Sequence, residues 1–137
     1  SIAMLDRCYA YLEANGLHCE GLFRLSAAKR EVADMCAQLA ADATVAIAPT
    51  NSDDDDGRVH VVAGVIKQFF RELPEPLLTE QYYDCYVACS SIPDDEAKLH
   101  QLRQLLSWLP PLHYRALYAL VHFLEKVVEA TEKNRMT

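Results

Sequence analysis

Three basic residues stand out for the chemistry their types and spacing allow. Arg24 lies in the segment Glu20-Gly21-Leu22-Phe23-Arg24-Leu25-Ser26, between two stretches of helical apolar spacing. A guanidinium stays charged and offers several planar donors that match phosphate or carboxylate oxygens. Set after a glycine and an aromatic residue that could anchor a loop, it is suited to being presented to a partner's anion. Lys67 and Arg71 stand four residues apart in Lys67-Gln68-Phe69-Phe70-Arg71-Glu72-Leu73-Pro74-Glu75-Pro76-Leu77-Leu78. On a helix that spacing is about one turn, so both cations project from one face. Structural alternatives stand beside these readings. Arg24 could be a surface arginine in a weak salt bridge, and Lys67 and Arg71 an exposed face paired with acids such as Glu75.

Self-contained catalysis has no comparable support. His18, His60, His100, His113 and His122 are scattered and form no HExxH pattern, and the sequence has no Gly-x-Ser-x-Gly elbow, Walker A loop or Gly-x-Gly-x-x-Gly. Ser26 and Ser107 read as a helix cap and a surface residue. The acidic run at 53–56 lacks the alternation and terminal Glu of a calcium loop, and reads as a self-repelling solvated segment. Five cysteines (Cys8, Cys19, Cys36, Cys85, Cys89) without CxxC spacing indicate neither a disulfide framework nor a zinc site, and fit a reducing compartment. A net charge of −7 argues against nucleic-acid binding driven by phosphate neutralisation. No apolar run reaches the roughly 20 residues that span a bilayer, so direct membrane insertion is not expected.

The elements that must position these cations are helical. A length of 137 residues with 51% hydrophobic and 24% charged composition suggests one globular domain. Ile2, Leu5, Tyr9 and Leu12 form the stripe of a first helix, which Asn15-Gly16 should stop. Residues 16–25 have no helical period and read as a loop. Ser26 is the expected N-cap of a second helix to about Ala41, with Val32, Met35, Cys36 and Leu39 inward. Residues 42–58 read as a linker, with Pro49, Asn51, Ser52 and Gly57 as turn formers. A third helix is expected from Val59 to the Leu73-Pro74 boundary, with Val62, Ile66, Phe69 and Leu73 inward. Gly64 falls near Lys67 and Arg71, where it would let a partner approach. A short aromatic helix at 82–88 follows. An acid-started helix after Pro93 carries Leu99, Leu102, Leu105, Leu106 and Leu109. A last one after Pro110-Pro111 has Leu117, Leu120, Leu124, Val127 and Val128 inward. No β-pattern is evident.

Together the Gly21-Leu22-Phe23-Arg24 and Lys67-to-Leu78 segments resemble the two signature blocks of the RhoGAP domain, a module that switches off Rho-family GTPases. The family usually reads Gly-(Ile/Leu)-(Phe/Tyr)-Arg, then Leu-Lys-x-(Phe/Tyr)-x-Arg-Glu-Leu-Pro-(Glu/Asp)-Pro-Leu, in this order and rough spacing. The resemblance implies an all-α, RhoGAP-like helical bundle with an exposed arginine-finger loop between the first two helices. It implies a GTPase activator rather than an independent enzyme, with no cofactor or metal of its own. Its partner would be a Rho-family small GTPase in the GTP-bound form. Arg24 would be the finger. Lys67 and Arg71 would hold the finger loop and contact the GTPase, and Asn134 would be a further partner-binding residue. The alternative is a non-catalytic GTPase-binding or adaptor module of the same fold. The expected location is cytoplasmic, with any membrane recruitment left to other parts of a parent protein. Two departures are visible: Ser26-Ala27 stands where many members have Ser-Gly, and the sequence stops at Thr137. Family members continue there into an Asn-Leu-Ala helix and a Phe-Gly-Pro-like segment. Residues 1–137 are thus expected to be a single domain lacking its C-terminal helices, with apolar surface left uncovered.

Overall fold

A computed structural model describes residues 2–41, 47 and 55–136, without the side chains of 55 and 56. The turns expected at Pro49, Asn51 and Ser52, and the side chains of the acidic run at 53–56, lie outside the described residues. Seven helices are present among the described residues: α1 (Ile2–Asn15), α2 (Lys29–Ala41), α3 (Asp55–Arg71), α4 (Tyr83–Ser90), α5 (Asp95–Ser107), α6 (Pro111–Glu129) and α7 (Thr131–Asn134). None of the described residues is in a strand, so the fold is all-α. The chain divides into two compact units. One comprises Ser1–Glu72 with Val121–Thr137, and the other Leu73–Leu120.

The first unit is built on α3. Its Val59, Val61, Val62, Ala63, Val65 and Ile66 are all buried, whereas Phe69 is half-buried. A helix apolar on most of its circumference belongs at the centre of its unit, and α3 packs against both α1 and α2. The helix starts at Asp55, earlier than expected, so Gly57 sits in its first turn and not in a linker turn. From α1 come Leu5, Cys8, Tyr9, Tyr11 and Leu12. From α2 come only Met35 and Leu39, with Val32 and Cys36 half-buried.

Two glycines permit close approach here. A β-carbon on Gly16 would stand 3.0 Å from side-chain atoms of Leu12 and of Val59 in α3. One on Gly64 would stand 2.8 Å from Val32 Cγ2 in α2. The approach anticipated at Gly64 is therefore made by α2 of the same chain rather than by a partner. Ser26 does not cap α2: the first helical bond runs from Val32 N–H to the Ala28 carbonyl, 3.1 Å, which puts Ala28 in the capping position.

In the second unit, α5 begins as its acidic start suggests. The Asp94 carboxylate accepts the Ala97 N–H at 3.1 Å, and Asp95 and Glu96 occupy the first turn, where the helix dipole favours them. Leu105 and Leu109 are buried, and Tyr82 lies against Trp108 with ring centroids 5.6 Å apart. The α6 helix opens on Pro111, whose missing N–H costs nothing at a first helical position.

The inward face of α6 differs from the expected one. Ala116, Phe123 and Val127 are buried, whereas Leu124 and Val128 are exposed. The helix carries two adjacent apolar stripes, and the one through Phe123 is the one that packs.

Candidate functional site

Arg24 sits in a run of tight turns that leaves α1 and reaches α2. The Gly16 N–H bonds the Leu12 carbonyl, Cys19 N–H the Gly16 carbonyl and Leu22 N–H the Cys19 carbonyl. The N–H groups of Arg24 and Leu25 then both reach the Gly21 carbonyl, at 2.8 and 2.9 Å. Closing this turn needs backbone in the left-handed region: Gly21 has φ 77° and Phe23 φ 67°. Gly21 supplies its angle without steric cost. A β-carbon there would also meet Leu25 at 2.7 Å and stand 3.7 Å from Arg24 Nη2. Phe23 has a β-carbon, so its angle costs about 1–2 kcal/mol and persists only because surrounding contacts hold it.

Those contacts come from several elements of the first unit. The Phe23 ring meets Phe123 of α6 edge-on, with centroids 5.9 Å apart, and Phe123 stacks on Tyr9 of α1 at 4.8 Å. The Lys67 ammonium donates to the Phe23 carbonyl. Cys19 Sγ lies 3.6 Å from His60 Nε2 of α3. Asn134 receives the Gly21 N–H on its backbone carbonyl at 2.8 Å. Beyond this anchored base, the Arg24 side chain is exposed. Among the described residues its guanidinium forms no ion pair or hydrogen bond.

Beside the loop lies a groove of about 650 Å³ between α2 and α3, whose wall includes Leu25, Lys29, Cys36, Lys67, Arg71 and Glu72. Arg71 is exposed and, among the described residues, has no ion-pair partner, so its suggested pairing with Glu75 is not formed. Three cations thus meet one carboxylate along this wall, which favours an anionic visitor at short range. Burial, and then the Glu72 carboxylate, push the Cys36 thiol pKa up, so it stays neutral. Among the described residues no group of His, Cys, Asp or Glu has the geometry to hold a metal, and no helix is long and apolar enough to cross a membrane.

Two of the expected site residues are engaged inside the chain. Lys67 is half-buried, because its stem lies in the groove wall and its ammonium is committed to the loop. Asn134 is fully buried, and both protons and the oxygen of its side-chain amide are hydrogen-bonded. Its Nδ2 donates to the carbonyls of Leu17 and Val127 at 2.8 and 2.9 Å, and its Oδ1 accepts the Met136 N–H at 2.8 Å. A side chain so placed is engaged within the chain. Sequence reading also missed Phe123 and His60. For Phe123 a signal existed: an aromatic residue in phase with Ala116 and Val127.

Comparisons with known proteins bear on this geometry. The family model for the RhoGAP domain matches residues 3–137. Human Bargin is 34% identical over 133 residues, 97% of this chain and 19% of its own length. Mouse Rho GTPase-activating protein 35 is 34% identical over 133 residues, again 97% of this chain but 8% of its own length. The chain therefore spans less than a fifth of these relatives. Among solved structures, the BH domain of Graf, the GTPase regulator associated with focal adhesion kinase, superposes with a TM-score of 0.89 at 21% identity. That match covers 99% of this chain and 71% of the other, and at this identity it speaks to the fold alone.

Proposed function

Because this chain belongs to the RhoGAP domain family, we propose that it accelerates GTP hydrolysis on a Rho-family GTPase in its GTP-bound form, with Arg24 supplied in trans. The observation that carries this reading is Arg24 itself: an exposed guanidinium without an internal partner among the described residues, on a loop held by contacts from α3, α6 and α7.

Phosphoryl transfer spreads negative charge over the transferring group, and a positioned guanidinium stabilises that charge more than it stabilises bound GTP. The work is positional, so a rigid base under a free side chain is the needed arrangement. For another family, acting on Ras, such an arginine is worth about 10³–10⁵ in rate, or roughly 4–7 kcal/mol of barrier. Lys67 would keep the loop in place, and Arg71 would meet an acidic or polar group of the GTPase beside the groove. The chain would contribute no nucleotide site and no metal. The magnesium belongs to the GTPase.

The test is single-turnover phosphate release from GTP-loaded Rho, Rac and related GTPases, with and without this protein. Acceleration on at least one member supports the reading. GTP-dependent binding without acceleration on any member would replace it with that of a GTPase-binding module.

A further inference from the structure

We propose that Asn134 is a positioning residue for Arg24, acting as a clamp that ties the end of α6 and the α7 turn to the base of the arginine loop. The inference rests on the arginine-finger reading above. It assigns to the internal structure of the chain a residue whose type and place had suggested a partner contact.

The argument is one of connectivity. Asn134 Nδ2 spends both of its protons on carbonyls from different parts of the unit: Leu17 at the start of the loop, 2.8 Å, and Val127 near the end of α6, 2.9 Å. Its Oδ1 takes the Met136 N–H, and its backbone carbonyl takes the N–H of Gly21, three residues before Arg24. Asparagine is the side chain that suits these three partners, because one planar amide offers two donors and an acceptor.

The α7 turn is fixed in turn by Arg135, which adopts φ 64° and bonds the Thr131 carbonyl at 2.9 Å. The α6 helix is held to α1 by the Lys126–Glu13 ion pair at 2.8 Å and by Phe123 on Tyr9. The loop thus has an anchor at Leu17 and Gly21, before Phe23 in the chain, in addition to Lys67's bond to the Phe23 carbonyl. With the N–H of Arg24 and Leu25 both bonded to Gly21, displacement of Gly21 carries Arg24 with it.

The test compares Asn134→Ala and Asn134→Ser, each alone and combined with Arg24→Ala. Melting is followed, and GTPase stimulation is measured per folded molecule at saturating protein. The serine keeps one donor and is the milder change. If Asn134 positions the finger, each single variant lowers the saturated rate, by up to about 10²-fold for a displacement of about 1 Å. Half-saturating concentration moves by less than about threefold, and faster hydrogen exchange appears at the Gly21 amide. In the Arg24→Ala background the same substitutions should add almost nothing, because the group they position is gone.

Equal losses in both backgrounds would overturn the inference, since they would report a general structural role. So would an unchanged saturated rate, or failure of both variants to fold. A normal rate for Arg24→Ala alone would instead remove the finger reading, which separates the two failures.

Discussion

Replacing Lys67 by methionine probes the tension stored beside Arg24. Methionine keeps an unbranched stem against the groove wall and removes only the ammonium. The lost hydrogen bond, from a charged donor to the Phe23 carbonyl, is worth about 1.5–3 kcal/mol. Phe23 is held at φ 67°, and relaxing it relieves about 1–2 kcal/mol. Its remaining edge-on contact with Phe123 is worth only about 0.5–1.5 kcal/mol, too little by itself to hold the angle once the lysine is gone. The net loss of stability is therefore about 1 kcal/mol, a fall in Tm of roughly 4 °C for a chain of this size. The functional loss should be larger, because relaxation at Phe23 moves the next residue, Arg24. A saturated rate lower by about 10- to 100-fold is expected. The assay is single-turnover hydrolysis across a titration of the variant, with melting measured in parallel. Stimulation that falls only as the folded fraction falls, or that is fully restored at high concentration, would refute the argument. Lys67 would then serve stability or partner affinity alone.

Four further outcomes follow from the same contacts. Phe123→Ala, removing a buried ring that touches Tyr9 and Phe23, should cost about 3–5 kcal/mol in chemical denaturation. Gly64→Ala, whose new methyl would meet Val32 at 2.8 Å, should destabilise by about 1–3 kcal/mol, and a companion Val32→Ala should recover much of that loss. Arg71→Ala should weaken GTPase binding while leaving stability within about 0.5 kcal/mol. Burial, reinforced by Cys36 and partly offset by the nearby Arg7 cation, pushes the Cys8 thiol from 9.0 up to about 12. The unfolded chain then loses this proton first, so stability from this group is full below pH 9 and is lost as pH rises from 9 towards 12. Tyr9, also raised chiefly by burial, acts in the same direction above pH 10. Denaturation across pH 8–11 in the wild type and in Cys8→Ala should show the smaller slope in the variant.

Local signals carried the helices and the Arg24 loop. Asn15-Gly16 ended α1, the acids after Pro93 started α5, and the stripe of Leu5, Tyr9 and Leu12 turned inward as spaced. What failed depended on tertiary packing. Leu117, Leu124 and Val128 lie in phase with one another as well as Ala116, Phe123 and Val127 do, and the rings of Tyr9 and Phe23 against Phe123 are tertiary contacts that periodicity does not show. Gly64 invited an approach, but periodicity could not say whether a partner or α2 would make it. Lys67 and Asn134 illustrate the same limit for the site. Spacing placed Lys67 on the right face, yet its burial follows from the carbonyl that Phe23 turns towards it. For Asn134 the expectation of a partner contact came from the resemblance alone. The carbonyls of Leu17 and Val127, 110 positions apart in sequence (127 − 17), are what engage its amide.

The central claim rests on Arg24, and Arg24→Ala tests it most directly. Binding to a GTP-loaded Rho-family GTPase and single-turnover hydrolysis at saturating protein should be measured on the same preparation. The account predicts affinity within a few-fold of wild type and a stimulated rate lower by about 10³-fold or more, by analogy with arginine fingers in other GTPase activators. An Arg24→Ala protein that binds and stimulates as the wild type does would contradict it.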